Sequence, residues 1–368
     1  MKSDICRWGI LGTAGIARKN WRAILNTGNG TLVAVASRTA DRAAKYVAEC
    51  QADSPFPTSP EPVGSYEELL ARPDIDAVYV PLPTGIRKEW VIRAAQAGKH
   101  VMCEKPCGVH AREVEEILDA CRKANVQFMD GVMFMHTQRL QRMRDILDDG
   151  TSVGEIRRIS SRFSFRAPDE FLQTNIRVSN ELEPLGCLGD LGWYNIRFAL
   201  WAMKYALPST VTGRILVAHG RGDSSAPVPI EFSGELVFPG GASSEFFCSF
   251  IATHDQMAAI SGTKGYLHLS DFVLPFNGAE TVFSIEQTEF VQRGCTFEKL
   301  RHPRQITQAE HSHGHADAQE TNLFRRFGEL ALGGKPDPFW GDVALRTQQV
   351  VDACLESALK GGAEVSPG

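Results

Sequence analysis

Residues 100–106 read His-Val-Met-Cys-Glu-Lys-Pro, and they join a short apolar run to an acid, a base and a proline. The apolar half follows Gly98-Lys99 and predicts a buried strand, so the polar half lies where that strand ends. In open α/β sheets, ligands bind beyond the carboxyl ends of the strands. Lys105 would therefore offer a positive charge to a substrate oxygen, and Pro106 would fix the backbone beside it. The alternative is a solvated lysine in an ordinary loop.

Apolar strands alternate with amphipathic helices on both sides of this stretch. Strands are predicted at residues 7–11, 31–36, 77–80 and 127–130, and helices at 16–25, 65–70, 88–97 and 110–124. Strands that alternate with helices favour an α/β fold with a parallel, doubly wound sheet. We therefore expect an N-terminal Rossmann domain over residues 1–130.

Residues 131–368 follow a different pattern. Helices are predicted at 140–147, 185–203, 319–332 and 342–359, with a loop at 167–177. Alternating apolar runs predict strands at 157–165, 209–217, 230–238, 244–251, 257–261 and 266–269. Such a succession is typical of a mainly antiparallel sheet. We expect a C-terminal α+β domain that binds substrate and mediates oligomerisation.

Residues 12–17, directly after the first predicted strand, read Gly-Thr-Ala-Gly-Ile-Ala. A strand, a glycine turn and a helix form the context that the dinucleotide fingerprint G-x-G-x-x-[GA] requires. Gly12 suits the tight turn, while Ala14 replaces the glycine that lets the backbone approach a pyrophosphate. The candidate cofactor residues of this turn are Gly12, Thr13, Ala14, Gly15 and Ile16.

Ser37 and Arg38 directly follow the second predicted strand. A fold that prefers NAD usually carries Asp or Glu here to bind the ribose 2′-hydroxyl. A hydroxyl and a guanidinium suit a 2′-phosphate instead, so we expect NADP(H) to be preferred over NAD(H). The alternative is that Thr39 caps the next helix while Arg38 is solvated, and capping is compatible with phosphate binding.

Composition and charge narrow the classes of protein. The 368 residues are enough for two domains, and the net charge of −5 gives no reason to expect a nucleic-acid partner. No stretch approaches the roughly 18 uninterrupted apolar residues of a membrane span, so no membrane partner is expected. The nine cysteines are scattered without a C-x-x-C pair, which suits reduced thiols and a cytoplasmic location.

Residues 186–194 read Gly-Cys-Leu-Gly-Asp-Leu-Gly-Trp-Tyr, at the start of the helix predicted over 185–203. Asp190 and Tyr194 are four residues apart, so they would share one face of that helix. A phenol beside a lysine can relay a proton to a hydroxyl or carbonyl group, because the positive charge lowers the pKa of the phenol. The alternative is that Asp190 caps the helix or forms an ion pair, and that Tyr194 packs.

The chain resembles the glucose–fructose oxidoreductase, inositol dehydrogenase and MocA family along nearly its whole length. The segments that carry the resemblance are 9–17, 80–84, 97–101, 104–106, 186–194 and 261–265. The resemblance implies a nicotinamide-binding Rossmann domain, an open-faced sheet domain, and hydride transfer to or from a sugar, polyol or related alcohol. Lys105 matches the family's Glu-Lys-Pro segment, and Asp190 and Tyr194 match its D-x-G-x-[HY] segment. Tyrosine at the last position is typical of the branch similar to dihydrodiol dehydrogenase.

The resemblance also implies that Pro81, Thr84 and Glu104 bind the cofactor together with Lys105. Arg87 stands where many relatives have histidine, so the role of that histidine is not transferred.

Two further groups of side chains have open roles. Arg177 precedes the helix predicted over 185–203, where it would contact substrate or phosphate, or form an ordinary ion pair. His311, His313 and His315 alternate along one segment. Neither a C-x-x-C pair nor a helical i,i+4 pair supports them, so we expect no metal site there.

These residues predict an NADP-preferring dehydrogenase or reductase that acts on the secondary alcohol or carbonyl group of a sugar, polyol or dihydrodiol-like substrate. Tyr194 would carry the proton, Lys105 would lower the pKa of its phenol, and Asp190 would orient the pair. Two alternatives stay open. One is a glycoside hydrolase of the same family that retains NAD, and the other is a non-catalytic nucleotide or metabolite sensor.

An open sheet with helices on one side leaves its other face bare. Apolar residues fall on both faces of one predicted strand, where Phe246, Cys248 and Phe250 alternate with Glu245, Phe247 and Ser249. Exposed apolar area usually marks a partner surface, and soluble oligomers are mostly closed and symmetric. We therefore expect a homodimer or homotetramer formed through this face.

Overall fold

The computed structural model describes residues 4–367 and contains two compact units. The first unit comprises the described residues up to His136, with Ser179–Pro184 and His313–Gln348. The second comprises Thr137–Val178, Leu185–Ser312 and the described residues from Gln349 onward. A domain boundary after residue 130 stays a prediction, and two later segments of the chain complete the first unit.

A parallel six-stranded sheet forms the centre of the first unit. Its strands are β1 (Cys6–Leu11), β2 (Gly30–Ala36), β3 (Glu61–Val63), β4 (Ala77–Val80), β5 (His100–Cys103) and β6 (Phe128–Asp130). The order is β3-β2-β1-β4-β5-β6, so the winding direction reverses between β1 and β4. Helices cover both faces of such a sheet, which explains why the strands read as continuous apolar runs. The predicted doubly wound fold is confirmed.

The helices between these strands are α1 (Gly15–Asn26), α2 (Ala40–Asp53), α3 (Tyr66–Leu70), α4 (Thr84–Gln96) and α5 (Ala111–Ala124). The start of α4 was predicted at residue 88, and this is wrong by four residues. The reason is tertiary, because the carboxylate of Glu183 accepts a hydrogen bond of 3.0 Å from the backbone N–H of Thr84. A cap supplied from a distant segment leaves no local signal in the sequence.

The second unit is built on a mixed sheet of eight strands. They are β7 (Ile156–Ser164), β8 (Thr210–His219), β9 (Val228–Val237), β10 (Ser243–Ser249), β11 (Ala258–Gly262), β12 (Tyr266–Leu269), β13 (Glu280–Arg293) and β14 (Thr296–Ala309). The order is β14-β13-β12-β11-β7-β10-β9-β8, in which β7 and β10 are parallel and the other neighbours are antiparallel. The prediction of a mainly antiparallel sheet is confirmed.

The helices of this unit are α6 (Gln138–Asp148), α7 (Asp169–Thr174) and α8 (Trp193–Ala202). One sequence prediction is wrong here, one needs refinement, and one hairpin was missed. α7 interrupts the predicted loop at 167–177, since two acidic residues begin it and favour a helix start. The helix predicted over 185–203 is present, but it contains a π turn at Leu188–Gly192 that leads directly into α8. The β13–β14 hairpin was missed, because most residues between 287 and 302 are exposed and show no apolar alternation.

Two helices close the chain, α9 (Gln319–Leu332) and α10 (Phe339–Leu359). α9 packs into the core of the first unit, where the ring of Phe324 lies 5.0 Å from Trp8 and 5.5 Å from Tyr79. A segment more than 300 residues beyond β1 thus completes the core beside that strand. Within residues 4–367, no helix is both long and apolar enough to cross a membrane.

One face of the second sheet is mainly polar. Arg158 on β7 forms ion pairs with Glu235 on β9 and Glu245 on β10. Phe247 shares this face and is partly exposed, whereas the alternate residues Phe246, Cys248 and Phe250 are buried. Apolar side chains therefore lie on both faces of β10, although charged and hydroxyl side chains occupy most of the exposed register positions. Self-association through this face stays a prediction.

Candidate active site

Gly12 forms the tight turn between β1 and α1. Its φ is +109°, a conformation that residues with a side chain rarely adopt. Its N–H donates to the carbonyl of Ala36 at 2.8 Å, and an added Cβ would lie 3.0 Å from a side-chain carbon of Leu82. Backbone conformation and close packing both require glycine at this position.

The glycine turn leads directly into the N-terminus of α1, whose first two residues are exposed. The first N–H groups of a helix have no acceptor within that helix, and its dipole favours an anion nearby. Gly15 and Ile16 are exposed, and Thr13 is half-buried. Ala14 has φ −65° and ψ 153°, which any residue adopts, so its methyl group introduces no backbone strain. These residues fit a pyrophosphate group.

Ser37 and Arg38 lie at the carboxyl end of β2, as predicted. Ser37 is buried and Arg38 is exposed, while the hydroxyl of Thr39 accepts a hydrogen bond of 3.4 Å from the Arg42 N–H and caps α2. Burial raises the pKa of the Tyr66 phenol, and the charges of Arg38 and Arg42 oppose that rise. Two cations therefore lie at this strand end. Arg42 was not among the predicted residues, although its four-residue spacing from Arg38 is a signal visible in the sequence.

Lys105 follows β5, and a cis peptide bond joins it to Pro106. Its side chain is half-buried, and its backbone N–H donates to the carboxylate of Glu104 at 3.2 Å. Glu104 also accepts a hydrogen bond of 2.5 Å from the Tyr79 phenol, whose oxygen accepts one of 2.7 Å from the Asn20 amide. Burial first, and then the charge of Glu104, raise the pKa of Tyr79 well above its usual range. The phenol therefore remains a donor, and this buried network fixes the backbone at Lys105.

Pro81 and Thr84 lie between the end of β4 and the first turn of α4, and both are buried. The backbone N–H and the hydroxyl of Thr84 donate to the two carboxylate oxygens of Glu183, at 3.0 and 2.6 Å. Arg87 donates to the Thr84 hydroxyl at 3.2 Å. Neither Glu183 nor Arg87 was among the predicted site residues. Glu183 lies 99 residues from its partner, so local patterns carry no signal for it.

In the second unit, Asp190 lies on the π turn and Tyr194 on the first turn of α8. The Nε atom of Arg177 lies 2.8 Å from Oδ2 of Asp190, so an ion pair is formed. Tyr194 is 7% exposed, and its ring packs edge-on against Phe163 with 5.5 Å between ring centroids. Asp190 and Tyr194 do not share one regular α-helical face, because the turn that contains Asp190 is wider. π turns of this kind are frequent at functional sites.

The predicted site residues fall into two groups, one in each unit. The first group lies at the carboxyl ends of β1, β2, β4 and β5 and comprises Gly12, Thr13, Ala14, Gly15, Ile16, Ser37, Arg38, Pro81, Thr84, Glu104 and Lys105. The second group comprises Arg177, Asp190 and Tyr194. Among residues 4–367, no group of three or more His, Cys, Asp or Glu side chains has the arrangement of a metal site.

A parallel sheet with a glycine turn beside its switch point defines the dinucleotide-binding class of α/β protein. Residues 6–132 match the NAD-binding Rossmann-fold model of the GFO/IDH/MocA oxidoreductase family, and residues 140–268 match its C-terminal domain model. The chain belongs to the GFO/IDH/MocA oxidoreductase family.

Named relatives share this family over most of the chain. The D-xylose 1-dehydrogenase (NADP(+)) 2 of Haloferax volcanii is 32% identical over 71% of this chain and 74% of its own length. The trans-1,2-dihydrobenzene-1,2-diol dehydrogenase of Mus musculus is 30% identical over 77% of this chain and 79% of its own. A 3-ketoreductase of Actinomadura kijaniata, solved with NADP and TDP-benzene, has a TM-score of 0.78 at 26% identity, covering 96% of this chain and 98% of its own.

Proposed function

We propose that this chain is an NADP-preferring dehydrogenase or reductase that interconverts a secondary alcohol and a carbonyl group in a sugar, polyol or dihydrodiol-like substrate. One observation carries the proposal. The glycine turn after β1 and Lys105 after β5 lie at the same carboxyl edge of one parallel sheet, where folds of this kind bind their ligands. The dehydrogenase and reductase names of the relatives support the same chemistry.

The cofactor would be held by the first unit. N–H groups at the start of α1 suit its pyrophosphate, and Pro81, Glu104 and Lys105 would lie at its nicotinamide end. When bound, the nicotinamide supplies or accepts the hydride. The hydroxyl of Thr84 donates a hydrogen bond to the carboxylate of Glu183, so we assign Thr84 a packing role beside the cofactor.

Preference for NADP(H) over NAD(H) rests on the charges at the end of β2. Arg38 is exposed there, Arg42 lies one helical turn further on, and both influence the pKa of the same phenol. A guanidinium matches a phosphate with paired, charge-assisted hydrogen bonds. The NADP-dependent relative and the NADP-bound structure support this preference.

Tyr194 is assigned as the proton carrier and Lys105 as its supporting charge. Free tyrosine and lysine both titrate near pH 10, so each needs help at neutral pH. An ammonium group stabilises a phenolate, whereas a phenolate would raise the pKa of the lysine and make it a poorer proton acceptor. Asp190 would orient the pair, with part of its charge balanced by Arg177.

A turnover screen tests the proposal against its two rivals. Sugars, polyols, dihydrodiols and dTDP-linked keto sugars would be incubated with NADP(H), and the absorbance of the reduced cofactor followed. Net redox turnover is expected. Glycoside cleavage without net change in free cofactor would favour the NAD-retaining hydrolase. Binding of cofactor with no turnover of any class, in a protein that retains both Lys105 and Tyr194, would favour the sensor.

We also propose a homodimer or homotetramer that forms through the bare face of the second sheet. Arginine and glutamate residues of both signs on this face, with Phe247 among them, are suited to a self-complementary interface. A light-scattering mass of one chain at micromolar concentration would contradict this.

All nine cysteines are free thiols, and eight of them are buried. Reduced thiols support a proposed location in the reducing cytoplasm.

A further inference from the structure

The side chain of Arg87 is buried between two turns that end neighbouring strands. Only 4% of this residue is exposed. Its Nε donates to the carbonyl of Leu82 at 2.8 Å, and its Nη2 donates to the same oxygen. Its Nη1 donates to the Thr84 hydroxyl at 3.2 Å and to the carbonyl of Pro106. One guanidinium therefore joins the turn after β4 to the turn after β5.

The link to Pro106 constrains Lys105, because the two residues are adjacent. Glu104 accepts the backbone N–H of Lys105 on one side, and Arg87 binds the next carbonyl on the other. The backbone that carries the lysine is thus held at both ends. A guanidinium donates from a planar fork of fixed geometry, whereas an ammonium group is a point charge on a flexible stem. Arginine can therefore fix this separation where lysine cannot.

Glu183 extends the network from a distant part of the chain. The Thr84 hydroxyl accepts from Arg87 and donates to Glu183 at 2.6 Å. The N–H of Gly85 donates to a carbonyl of the segment Ser179–Pro184 at 2.9 Å, and an added Cβ at Gly85 would collide with that segment. The segment is therefore seated directly on the first turn of α4, which also carries Arg87.

We infer that Arg87 is a positioning residue for Lys105, and that Glu183, acting through Thr84, holds Arg87 in the orientation this requires. The inference rests on the proposed function to the extent that Lys105 acts on the substrate. Arg87 and Glu183 would then affect the reaction through the position of Lys105, without touching the reacting atoms themselves.

Arg87→Lys tests the inference because it keeps the charge and removes the fork. We expect kcat to fall roughly 10- to 100-fold, the scale of a misplacement of about 1 Å in a catalytic group. The affinity for NADPH should stay close to that of the parent, whereas the thermal midpoint should fall, because buried carbonyl groups lose their donors. Arg93→Lys, the same change at an exposed position of α4, is the control and should alter none of these quantities. Glu183→Gln should lower kcat in the same direction by a smaller factor.

A second measurement does not depend on turnover. The rate at which acetic anhydride acylates Lys105, followed across pH by mass spectrometry, reports the surroundings of that amine. We expect faster acylation in Arg87→Lys, because the lysine backbone is released. Unchanged kcat together with an unchanged acylation profile would overturn the inference. If the parent turns over no substrate, the proposed function fails, while the acylation profile still decides this point. Should Arg87→Lys not fold, Thr84→Val removes the hydroxyl link alone and is read by the same measurements.

Discussion

The Nε atom of Arg177 lies 2.8 Å from Oδ2 of Asp190, on the π turn that precedes α8. Asp190 is the better buried partner, with 16% of its side chain exposed against 41% for Arg177. Of the two roles that the sequence left open for Arg177, the ion pair is the one with a contact in the structure. A carboxylate held in this way is fixed in orientation within its own unit.

Replacing Arg177 by Met should therefore affect the rate more than substrate binding. Ion pairs with this exposure contribute about 0.2–1 kcal/mol, which corresponds to a fall in kcat of roughly 1.4- to 5-fold. Steady-state kinetics with the preferred substrate would measure the change, with Arg166→Met as the control at an exposed arginine of the same segment. A large rise in KM with kcat unchanged would instead assign Arg177 to the substrate.

Tyr194→Phe deletes the hydroxyl and keeps the ring, so its edge-on contact with Phe163 is preserved. We expect a loss in kcat of roughly 10²-fold or more, the scale of general acid–base catalysis, with cofactor affinity nearly unchanged. Tyr266→Phe, at an exposed position on β12, should have no effect. If Tyr194→Phe keeps kcat within a few-fold of the parent while Lys105→Met is inactive, the proton passes through lysine.

Arg38→Ala should weaken the binding of NADPH and leave that of NADH unchanged. A charge-assisted contact with the 2′-phosphate is worth about 1.5–3 kcal/mol, or roughly tenfold or more in Kd. Fluorescence titration of both cofactors measures the difference. Lys45→Ala removes another exposed cation, from α2, and serves as the control for general charge. Tighter binding of NADH by the parent, unaffected by the substitution, would refute the preference.

Tyr79→Phe should destabilise the first unit. The Glu104 carboxylate loses a hydrogen bond of 2.5 Å and the Asn20 amide loses its acceptor, and an unsatisfied buried polar group costs about 1–3 kcal/mol. Urea denaturation measures the free energy of unfolding, with Tyr266→Phe as the exposed control. A parent-like unfolding curve would mean that the carboxylate finds another donor without cost.

Asp76 gives a prediction for pH. Burial alone would raise the pKa of Asp76, but its hydrogen bonds with Arg7, at 2.6–2.9 Å, outweigh burial and lower it. The unfolded chain therefore binds this proton more readily than the folded protein, so the stabilisation is complete above the unfolded pKa of about 3.9 and is lost as the pH falls through the lower folded value.

Asp76→Asn should accordingly lower the free energy of unfolding by about 1–2 kcal/mol at neutral pH. The unfolding curves of parent and variant should converge as the pH falls below ~3.9 toward the lower folded pKa of Asp76. A gap of constant size across that range would show that the charge of Asp76 is not what stabilises the fold.

Local pattern was enough to predict the strand–turn–helix at Gly12 and the position of Lys105 after β5, because periodicity and turn chemistry act over a few residues. The resemblance of segments added Asp190 and Tyr194. Neither source could predict the network at Glu104, since the strand residue Tyr79 reads in the sequence as one more apolar position. The role of the Tyr79 phenol depends on the Glu104 carboxylate, which only the folded chain brings within hydrogen-bonding distance.

The errors in the helices have the same origin. The early start of α4 depends on a contact made by a distant segment. A helical period of 3.6 records neither that contact nor the wider π turn at Asp190. The β13–β14 hairpin was missed for the opposite reason. Its outer half pairs only within the hairpin and is exposed on both faces, so selection for burial leaves no alternation to detect.

The place of α9 also bears on how the chain is made. Trp8 lies on the first strand, yet its packing partner Phe324 belongs to a helix that ends at Leu332. At synthesis rates of about 5–20 residues per second, roughly 15–65 seconds separate the two on the ribosome. Until α9 has been made, Trp8 lacks its packing partner from that helix. The first unit can therefore be completed only when nearly the whole chain has been translated.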